Sequence, residues 1–240
     1  MSLKKRIFLM EKNYKNSLYL WVAAGVMLAM TGIGRIRIES VYRGLGFGAN
    51  TMYHFFYFAF FFVHTLYLFG DAEQYFSGYG ILTVSRYRNR GVLFFHCIIV
   101  MLKKILLFHF ISIISGTLFT ALLFKERYMI NTHVVQEFLL FLLTDIALAF
   151  LQILLEIMIN ARMALLIMGG YYIFSLFFAR AFFYMPFMRG AIWILIPNLA
   201  MHYRIDSYQI LPVQSGIYLL SLLVLFIAIG SCMIKRKDIL

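Results

Sequence analysis

The chain has 240 residues, of which 63% are hydrophobic and only 13% are charged. An ordinary soluble domain carries about 25% charged residues, so too little polar surface is present to cover a water-exposed body of this size, and soluble fold classes are excluded. The formal charge of +12 comes from basic residues that flank apolar runs rather than lining a polar groove, which excludes nucleic-acid binding and points to membrane topology.

In chain order, residues 1–16 come first. Leu3, Ile7, Met10 and Tyr14 fall on one helical face with lysines over much of the remainder, the pattern of a basic amphipathic helix lying on the inner leaflet. A solvated positive tail is the other reading. Residues 17–34 form the first apolar run, longer than a secretory h-region and without a small-x-small cleavage site, so a retained helix is expected. A second, Phe-rich run covers 51–70. The segment 71–104 follows as the largest cytoplasmic stretch, opening on Asp71 and Glu73, carrying Tyr75 and Phe76, and closing on Arg86, Arg88 and Arg90 before Lys103 and Lys104. Apolar runs at 104–124, 133–158 and 161–179 are the third, fourth and fifth. Residues 182–199 contain Pro186, Arg189, Gly190 and Pro197; prolines break helices, so this segment is expected to be a broken, re-entrant pair of short helices dipping into the outer face. The sixth run is 213–234, ahead of Lys235, Arg236 and Lys237.

Each run meets or approaches the roughly 20 residues needed to cross a bilayer. The expectation is an all-α integral membrane protein with one domain over 1–240, six transmembrane helices and both termini cytoplasmic. With the N-terminus inside, 14 of the 22 Lys and Arg residues lie on cytoplasmic segments, in line with the positive-inside rule. A seventh crossing would put the basic C-terminal tail outside.

The fourth run carries Glu137, Asp145 and Glu156, and intramembrane carboxylates are costly enough to read as functional. At about 100° per residue, Asp145 and Glu156 lie about 20° apart on one face and Glu137 about 80° from Asp145. Asp145 is the deep one. A proton relay or polar lining, and a buried pair with Ser, Thr, Gln or Arg of another helix, are both open for it. Phe60 and His64 make an FxxxH, as in one class of intramembrane peptidases, but that class also needs a Glu-Glu pair, which this chain lacks; His64 is therefore read as a packing residue. No P-loop, HExxH or CxxC occurs, so no catalytic constellation, metal site or cofactor is expected, and Cys97 and Cys232 read as small apolar residues. Gly25 with Ala29, and Ser112 with Gly116, have the small-xxx-small spacing of close helix contacts. The aromatic residues are expected mostly at lipid-facing and interfacial positions.

Six runs, a cytoplasmic elbow between the second and third, and a broken segment between the fifth and sixth resemble the permease subunits of ABC-2-type transporters. The stretch from Gly80 to Arg90 with Lys103-Lys104 is similar to that family's elbow, and Lys235-Arg236-Lys237-Asp238-Ile239 to its basic-Asp-Ile ending. The resemblance implies a half-transporter in the cell membrane, surrounded by membrane lipids. It would pair with a second permease subunit, in a homo- or heterodimer, and bind a separate P-loop ATPase through an elbow containing Asp71, Glu73, Tyr75, Phe76, Arg86, Arg88 and Arg90. Compact members export antimicrobial or other amphipathic peptides, or confer immunity to them. The competing expectations are a proton-coupled carrier built on Asp145 or Glu156, and a stand-alone immunity or anchoring protein.

Overall fold

The computed structural model describes residues 3–33, 38–76, 90–124 and 132–236. Helices account for nearly all of them, and no strand occurs among them. The elements are α1 (Leu3–Gly32), α2 (Ile38–Arg43), α3 (Thr51–Leu68), α4 (Asp71–Phe76), α5 (Arg90–Phe124), α6 (Thr132–Met158) and α7 (Ala161–Tyr184). Two 3-10 helices, Pro186–Trp193 and Ile196–Ala200, lead into α8 (His202–Ser207) and α9 (Pro212–Arg236). Among the described residues, five stretches are long and apolar enough to cross a bilayer: Thr51–Glu73, Phe94–Leu123, His133–Met158, Ala161–Tyr184 and Pro212–Ile234. The protein is a multi-pass helical membrane protein. The apolar part of α1, Ser17–Gly32, is shorter, and Gly34, the expected end of that run, lies outside the described residues.

Local signals set the helix boundaries. Asn50 caps α3 by accepting from the Met52 amide, and Asn160 caps α7 by accepting from the Met163 amide at 2.8 Å; an Asn side chain there satisfies one of the amides that a helix start leaves unpaired. Three boundaries differ from the sequence reading. The interfacial helix and the first apolar run are one uninterrupted helix, α1. The elbow, expected to turn helical from Val92, does so at Arg90 and runs unbroken into the third apolar run, so α5 reaches 35 residues. The fifth run continues to Tyr184 and stops at Pro186.

α3 and α6 lie at the centre, and α7 and α9 leave most of their surface outward. Helix ends gather at two poles. At one pole the Phe76 and Phe94 rings lie 6.5 Å apart, and a Cβ on Gly230 of α9 would sit 2.5 Å from Phe94. At the other, Gly32 of α1 faces Leu123 of α5, and Arg43 of α2 approaches Glu137 near the start of α6.

Aromatic side chains fill the middle. Phe61 stacks between Phe141, 5.4 Å away, and Tyr172, 5.7 Å away. Phe60 meets Phe108 and Phe141 edge-on at 5.4 and 5.6 Å. These rings belong to the buried core, while Trp21, Phe55, Phe95, Phe110, Phe178 and Phe187 are exposed, so the aromatics serve both the core and the outer surface. Lipid is as apolar as the helix surfaces, so helix association depends on close packing and buried polar bonds rather than on water release. Large flat rings supply such packing. Close approach occurs at Gly230, whereas a Cβ on Gly25 would meet nothing within 4 Å.

Candidate functional site

Asp145 is the middle residue of the 27-residue α6, about 20 Å from either end at 1.5 Å per residue. It is fully buried, and its Oδ2 lies 2.9 Å from His64 Nδ1 of α3 and 2.7 Å from His109 Nε2 of α5. Both imidazoles are buried. The other Asp145 oxygen, His64 Nε2 and His109 Nδ1 make no hydrogen bond among the described residues. Rings of Phe60, Phe108, Phe138 and Phe141 enclose the trio. No Lys or Arg pairs with Asp145 among the described residues. A neighbouring Tyr172 of α7 hydrogen-bonds Thr65 at 2.8 Å. The sequence offered Ser, Thr, Gln or Arg as partners; the structure supplies two histidines. The available signal was one His in the middle of each of two apolar runs and one Asp in the middle of a third. His64, read from the sequence as a packing residue, packs on Phe108 and also hydrogen-bonds Asp145. No group of three or more His, Cys, Asp or Glu among the described residues is placed to hold a metal ion.

A second cluster ties the pole that carries α4. Glu156 accepts from the Gly70 amide at 3.1 Å, the Ala72 amide at 3.2 Å and Gln152 at 2.9 Å. Gly70 has φ +73, a backbone state that favours glycine, and there the chain bends from α3 into α4. The Gln152 amide group also donates to the Thr65 carbonyl of α3 at 3.0 Å. Glu73 accepts from the Ala161 amide at 2.9 Å, at the start of α7, where a carboxylate also meets the positive end of the helix dipole. Asp71 is ion-paired with Lys104 of α5, whose ammonium lies over the Tyr67 ring at 5.3 Å. The short helix α4 is therefore bonded to α5, α6 and α7 and continuous with α3.

Of the expected elbow residues, Asp71 and Phe76 are buried, and Glu73 is half-buried. The side chains of Tyr75 and Arg90, and the whole of Arg86 and Arg88, lie outside the described residues. Asp145 meets His64 of α3, and Glu156, on the same helical face, meets the turn that leads from α3 into α4. Glu137 instead turns to the opposite pole, with Oε1 3.6 Å from Arg43 Nε.

That opposite pole is organised by Arg204, which the positive-inside count treats as an external charge. It is fully buried. Its Nε donates to the Leu45 carbonyl at 3.1 Å, and its Nη1 donates to the Leu176 carbonyl at 3.1 Å and to Asn198 Oδ1. The guanidinium lies over Phe47 at 5.2 Å. Burial lowers its pKa to about 10, so it stays charged near neutral pH. Asn198 in turn donates to Ser175 of α7 at 2.7 Å. No short motif announces this residue, because its partners are backbone carbonyls and one amide from three separate segments.

No curated protein and no solved structure matches the chain. Residues 7–240 match the model of a family described as "Protein of unknown function (DUF2705)", and the chain belongs to that family.

Proposed function

We propose that the chain is the membrane-spanning permease subunit of an ATP-driven exporter of the ABC-2 type. It pairs with a second permease subunit in the cell membrane, couples to a separate ATPase and moves a peptide or another amphipathic substrate. The observation that carries this reading is the bonding of α4. A short helix at the mouth of the elbow is joined by charge-assisted bonds to α5, α6 and α7 and follows α3 across the bend at Gly70. Force applied to the elbow reaches α3, α5, α6 and α7 together, which is what a coupling element requires. Charge-assisted bonds are short and directional, so they transmit displacement better than apolar contact. The alternation of helix ends between the two poles supports six crossings, with α1 as the first and the elbow on the same side as both termini.

Glu73 and Phe76 serve contacts inside the chain, so the direct contact with an ATPase is assigned to Arg86 and Arg88. A photo-crosslinking residue placed at position 86 in native membranes tests this. A crosslinked product containing a P-loop ATPase is the expected result. A product containing only this chain or lipid sinks the reading.

A further inference from the structure

We propose that His64, Asp145 and His109 form an exchangeable proton-binding centre in the middle of the bundle, with a single proton as its ligand. When each neutral imidazole donates one N–H to Asp145 Oδ2, the remaining ring nitrogens, His64 Nε2 and His109 Nδ1, carry lone pairs. Neither makes a hydrogen bond among the described residues. In that state the trio has a net charge of minus one, enclosed by aromatic rings and without a Lys or Arg ion pair among the described residues. A net charge in such surroundings is costly. Addition of one proton to a free ring nitrogen makes the trio an imidazolium, a carboxylate and a neutral imidazole, with no net charge; one N–H bond forms and none breaks.

Among the described residues, the groups facing the trio leave no other source of compensation. α3 contributes His64, α5 His109 and α6 Asp145. α7 contributes Tyr172, whose hydroxyl is bonded to Thr65. α1 packs on α3 and α5 and has no Asp, Glu, His, Lys or Arg between Ser17 and Ile33. The proton therefore decides whether three central helices meet around a neutral or a charged centre. Its loss weakens their packing, so stability falls as pH rises through the titration of the trio.

The proposal is independent of ATPase coupling and is tested on the purified full chain in lipid nanodiscs, with no partner present. Nitrogen-15 NMR of labelled histidines, assigned by single His→Gln variants, is recorded from pH 4.5 to 9. His64 and His109 are expected to titrate together as one proton-binding unit, and the unfolding temperature is expected to fall as pH rises through that midpoint. In Asp145→Asn the shared midpoint moves by one pH unit or more, a tenfold or greater change in proton affinity, and the pH dependence of unfolding at that midpoint is lost. If Asp145→Asn does not fold, His64→Gln serves instead and shifts the His109 midpoint by the same margin. Histidine signals that stay constant across the range, or that titrate separately and ignore the substitution, overturn the proposal. So does an unfolding temperature that is flat through the midpoint.

Discussion

Replacing Arg204 with Met keeps the length of the side chain and removes its charge and all its donors. Two opposing effects follow. Removing a buried charge relieves a desolvation cost, and buried ion pairs replaced as a unit by apolar residues are often no less stable. Here the partners are not replaced. The Leu45 carbonyl, the Leu176 carbonyl and Asn198 Oδ1 stay where the backbone and the Asn198–Ser175 bond hold them. Hydrogen bonds in membrane proteins average about 0.6 kcal/mol and reach about 1.7 kcal/mol. Three of them place the expected loss at about 2–5 kcal/mol. Arg204→Lys keeps the charge but replaces a rigid fork by one ammonium, and should recover only part of it. The assay is reversible unfolding in mixed micelles, with Asn198→Ala completing a double-mutant cycle. An Arg204→Met protein as stable as the unsubstituted chain, to within about 0.5 kcal/mol, would refute the reasoning and show that desolvation outweighs the bonds.

Gly44→Ala should lower folded yield and cost at least about 2 kcal/mol, because Gly44 has φ +84 and its new Cβ would lie 2.6 Å from the Met201 Cα, which cannot rotate away. Gly230→Ala pushes a methyl group to 2.5 Å from the Phe94 ring and should cost about 1–3 kcal/mol by overpacking; adding Phe94→Leu should recover part of it, and a fully additive double mutant would show that the two do not touch. Glu156→Gln leaves one carbonyl oxygen where two carboxylate oxygens accept from Gly70 and Ala72. The expected cost is about 1–3 kcal/mol, seen as faster amide exchange at those two residues with unchanged membrane insertion. Single cysteines at positions 86 and 237 should resist an impermeant reagent applied to intact cells, and strong labelling at either would overturn the six-crossing topology.

Composition and periodicity alone determined the class of this protein: 63% hydrophobic residues in runs of bilayer length have one solvent in which they fold. The broken segment was legible at Pro186 and Pro197, and the shared face of Asp145 and Glu156 was legible in their spacing of eleven residues. These are local properties, set by a residue and its neighbours in the chain. Tertiary structure decided which side chains those carboxylates meet. His64, His109 and Asp145 are separated by 45 and 36 positions, and nothing local distinguishes a histidine that packs from one that hydrogen-bonds a carboxylate on another helix. The same holds for Arg204, which looks like a topology charge until Leu45 and Leu176 supply the carbonyls that hold it. It holds also for Asp71 and Glu73, whose acidic character suits an external partner until Lys104 and the start of α7 are brought to them. In lipid the apolar faces of helices are nearly equivalent to their solvent, so hydrophobic pattern marks where a helix lies but not how it is rotated against its neighbours; the buried polar bonds settle that rotation, and they exist only between residues distant in the chain.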